Sequence, residues 1–559
     1  MTLDLANASW IAWQRRSGAV EWGPVSLLTD QHDGPDPVIG ISAARPDIEA
    51  ALLEFLIGLL SWILKPADES DWRKYWHNPP TPHELQQAIS ALGPIFLLDN
   101  GDGPAFLQDF SPLDLASQEV LPIDRLAIDS PGEQGIEHNK TLFVKPGRFK
   151  SVSRAVAAQL ILAMQTYAPE GGRGNRASMR GGGPLTTIVD PRREGNGYGP
   201  DQQPLWHVLW INVETVDDLH SRAPREANVQ QFQTETILPW VACTVSSVGN
   251  RALRPISAHP LQAYFGMPRR LRLEYGSAGT CDVSGAHDER LVIGFRQRNY
   301  GVKYEQWRHP LSPYYFDKTE WRAVHPQQSG LTWRDWPGYS VPSNTSDHEI
   351  AATVVRAIRR LQNLEQYGAY RIHAFGYDTA SAKIRAWVSA IRPAFVLADQ
   401  SHYEHLADLS KNLVEATSIM AFVVTASIKR VWFESDDIKG ELNVPRQQLW
   451  DRTEAAFFKT IQSAIDNGFT PEARSNALRS FLTPLKDAAR EIFDEACGVS
   501  SLPIDSLSRY AGAELSLRST FAGAGKMGEK LYEVLTLKRA ERKDKNTNAK
   551  QISRRNVAT

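Results

Sequence analysis

Apolar and polar positions alternate through residues 3–30, in LDLANASWIAW and again in VEWGPVSLLTD, with a basic turn between the two runs. Alternation punctuated by turn residues predicts short antiparallel strands. The period then lengthens. Over residues 46–64 apolar side chains return at Leu52, Phe55, Leu56, Leu59 and Leu60, and Pro46 with Asp47 supply a start signal, so a buried helix is expected. Residues 82–92 predict a further short helix, and residues 106–110 a strand or tight turn entering the core. Residues 121–150 hold no sustained period. Pro, Gly, Asp and Asn crowd them, which predicts a long loop of the kind that tends to be functional or disordered. A helix over about 152–167 follows, then a glycine-rich stretch, a strand in PLTTIV (184–189) and an aromatic-rich apolar run, LWHVLWINV (205–213). Residues 240–320 read as a β-rich insertion and 347–361 as a helix. YRIHAFGY (370–377) reads as a strand, and 378–383 as a small, polar turn tip.

The last third changes character. Helical spacing runs through Leu406, Leu409, Leu413, Ala416, Met420, Val423 and Val431, then through Trp450, Phe457, Ile461 and Ile465. It resumes through Leu478, Leu482, Leu485, Ala489 and Ile492, and a fourth time through Tyr510, Leu517, Phe521, Met527, Leu531 and Leu535. Breaks fall at 443–445, 468–471 and 498–503. Four amphipathic helices with short connections predict an antiparallel four-helix bundle. The expected fold class is α+β, with a large mixed N-terminal domain over residues 1–398 and the bundle over 399–540. Residues 541–559 form a basic tail without a hydrophobic face, expected to be disordered.

A chain of 559 residues is too long for one core, which agrees with this division. Apolar content of 42% and charged content of 23% are ordinary for a globular protein. Net charge is −2, so any nucleic-acid surface must be a local patch. Cys243, Cys281 and Cys497 lie far apart, which fits a reducing, cytoplasmic setting better than a disulfide framework. The N-terminus has no signal-peptide pattern, and apolar stretches such as 51–64 are too short to span a bilayer, so no membrane partner is expected.

The strongest local signal is GGRGNRASMRGGG at 171–183, with six glycines, the arginines Arg173, Arg176 and Arg180, and no acid. Glycine lets a backbone approach a ligand closely, and arginine offers a planar cation for phosphates and base edges. The pattern suggests backbone pressed against a polyanion, with an ordinary glycine-rich surface turn as the alternative. Lys140, Lys145, Arg148 and Lys150 interleave with Phe143 and Phe149, a composition suited to single-stranded nucleic acid or to a plain solvated loop. Gly172 to Ala177 match G-x-G-x-x-A, but a helix is expected before them where the dinucleotide fingerprint needs a strand. Cys281, His287 and His309 raise the question of zinc, yet the paired cysteines of such sites are missing, so neither metal nor other cofactor is expected. No Walker A, G-x-S-x-G or H-E-x-x-H pattern occurs, and the chain reads as a binding protein, not an enzyme.

Seven motifs in register carry a resemblance. They are LANASWIAW at the start, LLEFLIGLL with the Trp/Asn-Pro segment at 76–80, PIDRL at 122–126 and NKTLFV at 139–144. SMRGGGPLTTIV at 178–189, WRHPLSPY at 307–314 and FGYDTASAKI at 375–384 complete the set. In these the chain resembles the CasA family, the large subunit of the type I-E CRISPR interference complex, Cascade, over nearly its whole length.

That resemblance implies a non-catalytic subunit that holds the 5′ handle of the guide RNA (crRNA) and reads the protospacer-adjacent motif (PAM) in double-stranded target DNA. It implies help in opening the duplex, contact with other Cascade subunits, and recruitment of a separate helicase–nuclease. Carried onto this sequence, the guide- and PAM-proximal loop falls at about 129–145, with Asn139, Lys140, Phe143 and Lys145 as contacts and Phe143 at the stacking position. The PAM-facing glycine loop falls on Gly171, Gly172 and Gly174, flanked by Arg173 and Arg176. The wedge that splits the first base pair falls on Ala380, Ser381 and Ala382. Two positions depart from the family pattern. Its wedge often carries amides where this chain has Ala380 and Ser381, and a PAM-reaching lysine of some members appears here as Gly279 or Thr280. Two other readings stay open from the residues alone, a metal-assisted hydrolase and a protein scaffold without DNA contact.

Overall fold

The structure is a computed structural model that describes residues 2–101, 103–110, 118–139, 141, 143–172, 174–224, 229, 233–328, 330–342, 347–380, 383–433, 442–498 and 506–537. The basic tail, Arg173, Lys140, Ser381 and Ala382 lie outside the described residues. The fold is α+β, and the chain divides into two compact units. One comprises residues up to Leu331 together with Gly338–Ala398. The other takes Thr332–Pro337 with the chain from Asp399 onward.

The first unit is built on the helix Pro46–Ile63, whose apolar periodicity is read correctly from sequence, and it is buried nearly all round. Arg45 and Pro46 start it, Pro46 at a position where its missing N–H costs nothing. Gly58 lets the ring of Tyr264 lie against the helix, since a Cβ there would fall 2.4 Å from Tyr264 Cβ. Phe55 of this helix packs largely edge to face with Trp10, Phe96, Phe106 and Phe265, and Trp240 packs in turn on Phe106 and Phe265. Among the antiparallel sheets of this unit, three carry the segments used below. Val20–Gly23, Ile11–Arg15 and Val38–Ile41 form the first, and Leu121–Pro122, Val292–Arg298 and Arg270–Tyr275 a second. The third joins a long hairpin, Gly368–Ala380 with Lys383–Val396, to Thr186–Asp190.

Several expectations shift. Residues 25–29 form a 3-10 turn where strand was expected, whereas at 106–110 the turn, one of the two expected forms, is what occurs, with Leu107 at φ 53°. The first part of the expected β-rich insertion is made of 3-10 turns, Pro239–Val241, Val248–Asn250, Pro255–Ser257 and Pro260–Phe265. Three of these four begin with proline, which fixes φ and offers no ladder N–H. The helix expected from 347 is Ala352–Asn363, because His348 and Glu349 pair instead with Tyr315 and Tyr314. Several helices escaped the sequence reading, the longest being Glu69–His77 and Leu205–Asn212. The first is short and polar. The second is buried on nearly every side and so shows no amphipathic period.

The second unit is helical. Gln400–Trp432, Asn443–Asp466 and Pro471–Ala496 match the first three expected helices. The fourth run is two helices, Leu507–Phe521 and Gly525–Val534, separated at Gly523, which sits at φ 72°. Trp333 stacks on Phe457 at 4.2 Å between ring centres and donates Nε1–H to the Trp450 carbonyl at 2.8 Å. Contrary to expectation, one helix, Gln400–Trp432, is long and apolar enough to cross a bilayer by length and composition. Many of its apolar side chains, among them Leu406, Leu409, Leu413 and Val424, are buried, though Phe422 and Trp432 are exposed.

Candidate nucleic-acid interface

The glycine stretch hangs between two fixed points. Before it, the helix Arg154–Tyr167 is capped by Ser153, whose hydroxyl accepts the Val156 N–H. At its end Tyr167 donates to Glu54 at 2.6 Å. After the stretch opens, Arg180 donates to the other oxygen of Glu54 at 2.7 Å, and also to Thr186 and Ser312. Glu54 and Arg180 are both buried, so this cation is spent inside the fold and offers nothing to a ligand. A lone acid within the apolar run LLEFLIGLL was the signal for such a pair.

The two glycine clusters differ in what surrounds them. Gly181, Gly182 and Gly183 face protein, and a Cβ at Gly183 would lie 2.5 Å from Tyr377 Cβ. Gly171 to Asn175 form a tight turn, with Gly171 N–H on the Asn175 carbonyl at 3.2 Å and Asn175 N–H on the Gly172 carbonyl at 3.3 Å. Gly172 and Gly174 take φ of 71° and 80°. Tyr300 N–H braces the Gly174 carbonyl at 2.7 Å, and Gln297 donates to the Asn175 side chain at 2.6 Å. Gly172 is exposed, with nothing within 4 Å of where its Cβ would stand. Gly174 is hemmed in, its Cβ position lying 2.8 Å from Asn299 Cβ. Arg176 is half-buried and donates Nε–H to Ser247 at 2.9 Å, without a carboxylate partner among the described residues.

The loop expected at 121–150 contains a 3-10 turn, Ile123–Leu126, and a one-turn helix, Glu133–Glu137. Phe143 is 92% exposed, an aromatic face presented to solvent. Asn139 takes φ 51° and donates its N–H to the Ile136 carbonyl. Lys145 is exposed and bonds the Thr141 carbonyl. Asp129 receives both ends of the Arg148 guanidinium, at 2.8 and 3.1 Å, and Arg45 at 3.0 Å. Burial alone would raise its pKa, but Arg148 and Arg45 outweigh this and hold it below the usual carboxylate value.

The hairpin stem is stiffened close to its tip. Tyr377 and Trp387 are cross-strand partners, ring centres 4.9 Å apart, and Tyr167 packs on Trp387 at 5.5 Å. The register shifts between Asp378 and Thr379, and Asp378 accepts Arg385 at 2.5 Å across the irregularity. Such a bulge re-aims the residues that follow. Ala380 is half-buried at the end of the strand.

Tyr377 is the junction of all three segments. Its Cβ lies against Gly183, and its hydroxyl donates to Asp47 at 2.7 Å and accepts from Arg45 at 3.3 Å. Arg45 in turn reaches Asp129 at the head of the loop. Glycine stretch, hairpin stem and loop are thus tied through one tyrosine and one arginine, a link with no sequence signature. Cys281, His287 and His309 are not brought together as ligands. The Cys281 thiol accepts Ser284 N–H at 3.3 Å, whereas His309 is packed on Tyr264 and lies 3.7 Å from Glu54. No cluster of three potential metal ligands occurs among the described residues.

The family model described as CRISPR-associated protein Cse1 matches residues 4–492. Among solved structures, Cse1 of Thermobifida fusca is similar at 16% identity, with 96% of this chain and 98% of that chain covered and a TM-score of 0.66. CasA of Thermus thermophilus is similar at 18% identity, covering 93% and 99%, with a TM-score of 0.63. A chain of a CRISPR RNA-guided surveillance complex is similar at 15% identity, covering 93% and 99%, with a TM-score of 0.64.

Proposed function

The chain belongs to the CRISPR-associated protein Cse1 family, and from that premise we propose that it is a non-catalytic subunit of a cytoplasmic Cascade complex. It recognises a PAM in double-stranded target DNA, helps open the duplex for guide pairing, and recruits the helicase–nuclease. Gly171, Gly172 and Gly174 face the minor groove with Arg173 and Arg176 beside them. Ala380, Ser381 and Ala382 act as the wedge. Asn139, Lys140, Phe143 and Lys145 meet the 5′ handle of the crRNA, and other faces meet the remaining subunits.

The observation that carries this reading is the junction at Tyr377, which links the end of the glycine stretch at Gly183, the hairpin stem and, through Arg45, the head of the loop at Asp129. A reader and a wedge must hold a fixed relation for recognition to lead to strand separation. The minor groove is narrow, so an open backbone turn such as Gly172 suits it where side chains do not, and its degenerate code predicts tolerant reading. Unstacking a base step costs a few kcal/mol, which new contacts of the wedge must offset. Sequence is then left to guide pairing.

The test is a gel-shift titration of the assembled complex on matched duplexes with permissive and scrambled PAMs, at fixed salt, using wild type and Gly172→Asp. Discrimination by wild type and its loss in the variant are expected. Equal discrimination by both would place PAM reading away from the glycine turn and end this assignment.

A further inference from the structure

Eight arginines are among the buried residues of the first unit, and Arg269 differs from its peers. Six of the other seven, Arg15, Arg154, Arg180, Arg270, Arg356 and Arg360, each face a carboxylate at 2.5 to 3.2 Å, and Arg392 donates to the Leu331 carbonyl at 3.1 Å. Arg269 is only 7% exposed and has no carboxylate within ion-pair distance among the described residues. Its backbone is clamped from both sides by Gln165, which accepts its N–H at 2.9 Å and donates to its carbonyl at 3.0 Å. Of its side-chain nitrogens, Nη2 donates to the Pro169 carbonyl, while Nε is enclosed with no partner among the described residues. Burial lowers its pKa to about 10 with no opposing influence, which still leaves it protonated at neutral pH.

The guanidinium lies directly under the glycine turn. A Cβ at Gly171 would fall 3.2 Å from Nη2 and 3.3 Å from Nη1, so Gly171 is the residue that admits it. Next along the chain is Gly172, open to solvent. A buried cation without a countercharge is costly, and folds normally pair it or leave it out. Glu170 is exposed and makes no ion pair with it, while the other charged neighbour described on the turn, Arg176, is a cation.

We propose that Arg269 forms the floor of an anion site at the glycine turn, whose ligand is a phosphodiester of nucleic acid laid across Gly171, Gly172 and Gly174. The phosphate supplies the charge that the fold withholds, and the planar fork suits its oxygens. This rests on reading the turn as a nucleic-acid surface. It adds a backbone-anchoring residue that the sequence of the turn does not contain. Phosphate contacts position a protein on the duplex without carrying sequence information, so Arg269 acts equally on permissive and scrambled PAMs.

The experiment uses the full-length chain and a short DNA duplex, with binding followed by fluorescence anisotropy over a salt series. Arg269→Met should weaken binding about tenfold at low salt and reduce the log–log salt slope by about 0.9, the share of one phosphate. Arg269→Lys should keep the slope. Because the lost charge was uncompensated, the Met variant should melt no lower than wild type. An unchanged slope, or a Met variant that melts early or fails to fold, makes Arg269 a structural residue and overturns the proposal. So would inorganic phosphate raising the melting midpoint of wild type as much as the duplex does, since the site would then serve the free ion. PAM discrimination is read separately in the Gly172→Asp comparison, so either idea can fail alone.

Discussion

Gly172 and Gly174 look interchangeable in sequence, two residues apart in one turn, and the structure separates them. Both sit at positive φ, where a side chain is strained by about 1–2 kcal/mol, less for Asp and Asn. Only Gly174 also lacks room, its Cβ position falling 2.8 Å from Asn299 Cβ and 2.9 Å from the Tyr300 nitrogen. Gly174→Ala is therefore expected to lower unfolding free energy by roughly 2–4 kcal/mol, combining the φ strain with overpacking. Gly172→Asp should lose no more than about 1 kcal/mol. Urea denaturation of the two variants checks this, and equal losses would mean that the turn yields freely at Asn299 and Tyr300. The distinction matters for function, because bulk at Gly174 changes the protein before any ligand arrives. Bulk at Gly172 changes only the surface a ligand would meet. Arg180 makes the same point from the other side, a cation in a glycine-rich stretch that belongs wholly to the interior through Glu54.

At the level of elements, legibility follows the origin of each boundary. The helix Pro46–Ile63 and the three long helices of the second unit were readable because their apolar periodicity is sustained, and two of them, Gln400–Trp432 and Pro471–Ala496, carry local caps at Asp399 and Thr470. The break after Phe521 was not, since apolar spacing continues through it from Leu517 to Leu531. What stops the helix is a Schellman turn, with Gly523 N–H on the Thr520 carbonyl at 3.0 Å and Ala524 N–H on the Ser519 carbonyl at 2.9 Å. The ring of Tyr532 folds back over it, its hydroxyl donating to the Phe521 carbonyl at 2.8 Å. A Cβ at Gly523 would lie 2.8 Å from that ring. Gly523→Ala should cost about 2–4 kcal/mol, from αL strain and the displaced tyrosine together, with the loss appearing in the helical unit. Calorimetry of the variant tests this, and an unchanged melting profile would show the break to be a passive consequence of packing. The candidate interface divides in the same way. Its glycines, Phe143 and Lys145 stand out by composition, whereas the Tyr377–Asp47–Arg45–Asp129 chain joins residues more than 300 positions apart and leaves no local trace. Arg269 escaped for that reason too, since its missing partner is a property of the folded surroundings.

Across the whole chain, a net charge of −2 conceals an uneven distribution of buried titratable groups. All of the described histidines whose pKa is pushed down, His32, His207, His259, His309, His325 and His348, lie in the first unit, and burial is the leading cause in each. His259 shows why. Its burial lowers the pKa to about 4 against the Val229 carbonyl, which lies 3.0 Å from Nε2, while Nδ1 accepts Leu261 N–H at 3.2 Å. His207, packed on Trp76 and beside His32, is also lowered to about 4. For a histidine so depressed, the unfolded chain takes up the proton first. The stability it contributes is complete above about pH 6.5 and is lost as pH falls toward about 4. One such group is worth about 2 kcal/mol between neutrality and pH 5. Asp190, held well below the usual carboxylate value against its own burial by His373 and Arg192, acts in the same direction but in a lower window, below about pH 4. Acidification from pH 7 to 5 should therefore lower the melting midpoint of the first unit through its histidines and leave the Asp190 contribution intact. His259→Gln, which keeps a donor and an acceptor but cannot take the proton, should flatten that dependence by about 2 kcal/mol at pH 5 relative to pH 7. Denaturant unfolding of wild type and variant at the two pH values measures the difference. Equal acid sensitivity in both would mean that His259 is charged or solvated in the folded chain, which its burial opposes.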